Sequence, residues 1–160
     1  LNRASALETL PTSLMTKLSG ERQRVVREVS RLSRSANFRQ QVLQAYGHRC
    51  AVTRMQLKLV EAAHILPVAA GSESVDHVTN GLALSPTYHR ALDRSLIYIG
   101  EDYAVHLNAE QAEHLKGLKL AAGLADFEKT LGKIHLPPDK NQWPDVRFIR
   151  KGNQARGIKV

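Results

Sequence analysis

The chain has 160 residues, 42% of them hydrophobic, enough for one compact unit with a core and too many for wholesale disorder. Lys and Arg number 23 against 15 Asp and Glu, a net charge of +8 with a pI near 9.9, so phosphate-bearing partners are expected ahead of acidic or apolar ones. The single cysteine, Cys50, excludes an internal disulfide and a Cys-x-x-Cys zinc site, and no apolar run approaches the roughly 20 residues that span a bilayer, so a cytoplasmic protein with no membrane segment is expected.

The first stretch, residues 1–36, reads as helical. Leu18, Val25, Val29 and Leu32 recur at helical spacing as one apolar stripe. Arg24, Arg27, Arg31 and Arg34 make a second stripe, open to two readings: a solvated face or one that meets DNA. Gly20 is placed to separate two helices. The chain begins at Leu1, which leaves room for a domain upstream, and this helix would be the connector to it.

Residues 37–108 form the middle stretch. Asn37 is positioned to cap a new helix carrying Phe38, Val42, Leu43 and Tyr46, with Gly47 to end it. Cys50–Thr53 and Leu57–Ile65 read as strands, followed by a loop with Pro67, Gly71 and a Ser-Glu-Ser run. Gly81–Leu84 reads as a short strand. Ser85 then caps a helix with Pro86 at its first position, running through Tyr88 and Leu92 to Asp93. Leu96–Ile99 and Tyr103–Leu107 pair as a hairpin across Gly100-Glu101-Asp102. In the last stretch, 109–160, Ala109–Gly117 and Ala125–Leu131 read as helices. Pro137-Pro138 closes that part. A basic tail with Arg147, Arg150, Lys151, Arg156 and Lys159 follows, and its last residues, rich in Gly and Arg, are open to two readings: mobile until DNA binds, or a mobile terminus with no role.

Chemistry concentrates in two segments. In Glu61-Ala62-Ala63-His64-Ile65-Leu66-Pro67 a histidine ends an apolar strand, which taken alone suits a buried, hydrogen-bonded imidazole. In Asn80-Gly81-Leu82-Ala83-Leu84-Ser85-Pro86-Thr87-Tyr88-His89-Arg90-Ala91-Leu92-Asp93, His89 and Asp93 stand four apart in a helix and share a face. They can hold one divalent cation between nitrogen and oxygen donors, or bond each other as a local staple. Mg²⁺ or Mn²⁺ suits such a site, and Zn²⁺ or Ni²⁺ could also bind.

Ala63-His64-Ile65-Leu66-Pro67, Asn80-Gly81-Leu82-Ala83-Leu84 and His89 with Asp93, in this order and at this spacing, resemble the HNH (ββα-metal) endonuclease family over about Phe38 to Leu107. The resemblance implies an α+β fold, a ββα-metal core with helices added before and after it. It implies a metal-dependent enzyme that hydrolyses phosphodiester bonds of double-stranded DNA, restriction-type in role, with Mg²⁺ as the first choice of cofactor. His64 would be the general base, a role that suits an imidazole near neutrality. Asn80 would hold the metal loop and orient His64 through the main chain, and in some relatives it touches the metal. His89 and Asp93 would bind the ion. Many relatives carry Asp or His just before the base, where this chain has Ala63. Glu61, two residues earlier on the same strand face, would replace that ligand directly or through water, or serve as a salt-bridge partner. Beside the resemblance, Arg90 and Arg94 flank the helix of His89 and could bind phosphates on either side of the cut or be ordinary surface arginines, His77 could approach substrate or be a surface histidine, and Arg49 is a lesser nucleic-acid candidate. Sequence choice in such enzymes comes from a reader domain or a homodimer, and an upstream reader of modified bases would fit here. The competing readings are a non-catalytic DNA-binding module with the same fold and a non-specific nuclease effector.

Overall fold

The computed structural model describes residues 20–73 and 75–159. Of the expected apolar stripe, Leu18 lies outside them.

The first element, α1 (Gly20–Ala45), is one continuous helix of 26 residues. Asn37 therefore sits inside it and caps nothing. The reason is register. Positions 24, 27, 31, 34, 38, 42 and 45 follow a single 3.6-residue face, so the arginine stripe runs straight on into Phe38, Val42 and Ala45 and no break is needed between them. Only the C-terminal part is covered: Phe38, Val42 and Ala45 are buried. Val25, Val29 and Leu32 have the expected helical spacing but stand exposed, so that stripe does not enter the core. Gly47 ends the helix as expected, with φ +60° and the His48 N–H donating back to the Leu43 carbonyl at 2.7 Å.

Cys50–Thr53 is a turn, not a strand. The Cys50 carbonyl accepts from the Arg54 N–H at 2.8 Å, and Arg54 adopts φ 64°, which curls the chain before a ladder can form. Ala51 alone bridges outward, donating to Ala83 O and accepting from His135 N. The expected strand Leu57–Ile65 shrinks to β1 (Glu61–His64), because Leu57 and Lys58 both take left-handed φ and Leu57 faces solvent. β1 pairs antiparallel with β2 (Gly81–Leu84), with Glu61 opposite Leu84 and His64 opposite Gly81. The helix α2 (Pro86–Asp93) follows at once, with Pro86 at its start as expected, though Ser85 occupies the cap position without a side-chain cap bond.

A second hairpin, β3 (Ile97–Ile99) with β4 (Val105–Leu107), α3 (Ala109–Gly117) and α4 (Leu124–Lys129) stand where the sequence places them, the strands shortened. The sequence pattern assigns no element to the basic tail, but most of it forms α5 (Val146–Ala155), capped by Asp145, whose side chain accepts from the Arg147 N–H. It buries Ile149, Gly152 and Asn153, and Asn153 donates to the Ile99 carbonyl at 2.9 Å. The core runs through α1, β1, β2, α2, β3 and α5, with Phe38, Val42, Leu82, Leu84, Leu92, Ile97 and Ile149 at its centre. Each such side chain contributes about 1.5–3 kcal/mol of burial.

Candidate active site

β1 carries a cluster of candidate residues at each of its two ends. Glu61 and His64 are three residues apart, so their Cα atoms are separated by about 10 Å along the strand. At the His64 end the imidazole lies flat on the Phe38 ring, centroids 4.0 Å apart and planes 11° from parallel. This stack depends on how closely α1 approaches the hairpin. Gly81 is opposite His64, and a Cβ there would overlap the Val42 side chain and press on Phe38. A glycine at this point lets the helix settle onto the strands.

The other edge of the imidazole is held by Asp76, whose Oδ1 is 2.9 Å from His64 Nε2. With Nε2–H donating to the carboxylate, Nδ1 is left with its lone pair, which is the form a base needs. Asp76 arrives on a loop that Asn80 closes. Asn80 is fully buried, its Oδ1 accepts from the Leu66 N–H at 2.8 Å, and its Nδ2 donates to the carbonyls of Leu66 (3.3 Å) and Val75 (3.0 Å). Its own carbonyl accepts from Ile65 N at 2.9 Å. One buried amide thus joins the chain just after His64 to the chain just before Asp76.

At the Glu61 end, His89 stands between two acids. Its Nδ1 is 2.6 Å from Glu61 Oε2 and its Nε2 is 3.5 Å from Asp93 Oδ2. The first is a short charge-assisted hydrogen bond. The second is too long for a good one. The Glu61 contact fixes Nδ1 as the protonated nitrogen and leaves the Nε2 lone pair on the Asp93 side, open to solvent. Among the described residues, no three His, Cys, Asp or Glu side chains are arranged to enclose a metal ion.

Sequence reasoning missed Asp76, Phe38 and Arg156. Arg156, just past α5, donates from Nη2 to the His64 carbonyl at 3.2 Å and from Nη1 to the carbonyl of Ile65. Burial lowers its pKa from the ordinary guanidinium value, and the charge of Asp93 acts the other way. Gly152, one turn earlier, leaves space for the Ile65 carbonyl that a Cβ would fill. Asp76 carried a signal, an acid four residues before Asn80 in a loop known to return to His64. Arg156 carried none, since 92 residues separate it from the carbonyl it holds.

The remaining expected residues lie apart from these two clusters. Arg90 and Arg94 are exposed on α2 and border an apolar hollow with Leu96, Leu115 and Phe127. His77 caps its own turn, accepting from the Thr79 N–H. Arg49 donates to the Arg54 carbonyl at 3.4 Å, within its own loop.

Residues 50–100, which hold both clusters except Phe38 and Arg156, match the family model described as HNH endonuclease. No curated protein matches the chain. Among solved structures the fold is similar to that of the modification dependent TagI restriction endonuclease, with a TM-score of 0.53 and 22% sequence identity over 75% of this chain. This chain spans 37% of the length of that one. No helix among the described residues is long and apolar enough to cross a membrane.

Proposed function

We propose that this chain, whose residues 50–100 belong to the HNH endonuclease family, cleaves double-stranded DNA with His64 as general base beside a divalent cation held by His89 and Asp93. The observation that carries the reading is the pairing on one short strand of an imidazole oriented by a carboxylate, His64 with Asp76, and a second imidazole oriented by another, His89 with Glu61.

The residues fit a cation that keeps much of its own water. His89 Nε2 and Asp93 Oδ2 are 3.5 Å apart, near the ~3.4 Å between tetrahedral donors about 2.1 Å from one ion, and a side-chain shift of about 0.5 Å would bring them to the ~3.0 Å of octahedral neighbours. Two protein ligands with the rest supplied by water and phosphate is the habit of Mg²⁺, the first choice here, with Mn²⁺, Ni²⁺ and Zn²⁺ as alternatives. When bound, the ion supplies charge to offset what develops on the phosphate and the leaving oxygen. Glu61 serves by holding the His89 ring, which reconciles the two expectations for it: a hydrogen-bonded partner that acts on the ion through histidine.

His64 Nδ1 accepts a proton from the attacking water, and Asp76 stabilises the imidazolium that results. Phe38 holds the ring plane. Asn80 is a positioning residue: its buried amide is engaged with the main chain on both sides of the loop. Arg90 and Arg94 are exposed, and their charge would suit backbone phosphates of a duplex that reached them.

The TagI likeness supports a restriction-type role as the cleaving part of a larger, modification-dependent enzyme, with sequence choice left to an upstream reader or to a homodimer. Plasmid cleavage with Mg²⁺, Mn²⁺, Ni²⁺ or EDTA, on methylated and unmethylated DNA, tests this with native chain beside His64→Ala. Metal-dependent cutting that His64→Ala abolishes is expected. Binding without cutting under every metal would leave a DNA-binding module in place of a nuclease.

A further inference from the structure

We propose that the face of α1 from Arg24 to Arg34 is a track for the phosphate backbone of duplex DNA running out of the cleavage site. The proposal rests on the nuclease reading above and deepens it by naming how the duplex is held.

The argument is one of register. An α-helix turns about 100° per residue, so positions 34, 31, 27 and 24 lie within about 40° of the direction of Phe38. The line reads Arg24, Arg27, Arg31, Arg34, Phe38, Val42, Ala45. Its C-terminal half is buried on the hairpin, and Phe38 stacks on His64. Its N-terminal half continues past the edge of the core, and there the same face changes from apolar to arginine, all four exposed. The helix thus overhangs the catalytic base with a cationic underside. Val25, Val29 and Leu32 lie about 120–180° away, and Glu21 and Glu28 flank at about 80–100°. Among the described residues only Arg31 of the four has an acidic partner, Glu28 at 2.6 Å, an exposed pair that a phosphate can displace at small cost.

The dimensions suit a duplex. At 1.5 Å per residue, Arg34 is about 6 Å and Arg24 about 21 Å along the helix from Phe38. With about 3.4 Å per base pair, that covers about six pairs on one side of the cut. The contacts are to the backbone, so they add affinity and register with no sequence preference.

The test uses the full chain with a 20-base-pair labelled duplex, measured by fluorescence anisotropy in EDTA across a KCl series. One variant is Arg24→Gln/Arg27→Gln/Arg34→Gln. Its comparator removes three exposed charges elsewhere, Lys116→Gln/Lys119→Gln/Lys129→Gln. The track variant is expected to weaken binding more than tenfold and to flatten the slope of log K against log salt by about 2.7, three contacts at 0.9 each. The comparator is expected to keep nearly the native slope, and cleavage by the track variant at saturating DNA is expected to stay within about threefold of native while KM rises. Equal losses in both variants, an unchanged slope in the track variant, or equal loss on single-stranded DNA would overturn the track and leave the nuclease reading standing. A native chain that binds no duplex would remove both.

Discussion

Oδ1 of Asp76 lies 2.9 Å from Nε2 of His64, and the two come from opposite ends of a loop closed by one buried amide, Asn80. The imidazole is thereby supplied with a carboxylate on one edge and the Phe38 ring on one face, leaving Nδ1 as its working atom. Asp76→Ala should lower the single-turnover cleavage rate at saturating DNA by at least tenfold and leave duplex affinity unchanged, because general-base help is worth about 10²–10⁴ and the residue touches no substrate. Asp76→Asn, which can still accept from Nε2–H, should lose less. Nitrogen-15 NMR of His64 gives an independent reading: the native ring should carry its proton on Nε2, and Asp76→Ala should show mixed tautomers. A native-like tautomer and rate in Asp76→Ala would count against the orienting role.

Phe38 is a core residue and, on the proposed reading, a support for the base. Truncating a buried phenyl ring costs about 3–5 kcal/mol, so Phe38→Ala should lower Tm by about 6–20 °C, read by calorimetry. Phe38→Leu keeps most of the volume and should lose under half as much stability, yet it removes the flat surface under His64. A cleavage defect in Phe38→Leu larger than its stability loss explains would separate the two roles.

On the proposed reading, Glu61 would act on the ion through His89. Removing a carboxylate that orients a metal-bound histidine typically weakens metal binding about 10- to 100-fold. Glu61→Gln should therefore shift the Mg²⁺ or Mn²⁺ concentration for half-maximal cleavage upward by about that factor, with near-native rate restored at high metal. His89→Ala should not be restored by added metal. If Glu61→Gln and native chain share one metal curve, the 2.6 Å contact has only a structural role.

The C-terminal helix braces the strand end that carries the base. Gly152→Ala sets a methyl against the Ile65 carbonyl, main chain that cannot swing aside, and should cost about 1–3 kcal/mol in chemical denaturation. Arg156→Gln removes the guanidinium bonds to the carbonyls of His64 and Ile65. It should slow cleavage while duplex affinity changes by less than threefold. A native rate in Arg156→Gln would show that the strand end holds its place without the brace.

Local pattern carried much of this molecule. His64 before its Pro67 turn, the Asn80-Gly81 start of a strand and the four-residue step from His89 to Asp93 are short-range features, and each stands on the element expected for it. Glu61, weighed as a ligand or an ion-pair partner, proves to be 28 residues along the chain from the histidine it bonds, yet only one strand away in space. Where the reading failed, the cause was local as well. Leu57 and Lys58 look like strand residues by type, and only their left-handed φ reveals a turn. Asn37 looks like a cap, but a helix whose face continues in register on both sides of one asparagine has no reason to stop there.

By itself the sequence singled out the candidate residues of chemistry, the two-strand-and-helix unit that carries them and the basic balance that suits a phosphate substrate, because spacing of three, four or two residues along a regular element decides which side chains share a face. Tertiary structure alone decided that Asp76 and Phe38 flank the base, that Arg156 returns from 92 residues away to hold its carbonyl, and that the arginines of α1 lie in line with the active site. Those contacts depend on how closely helices approach the hairpin, at Gly81 for α1 and at Gly152 for α5, and close approach is a property of packed surfaces that no periodicity records.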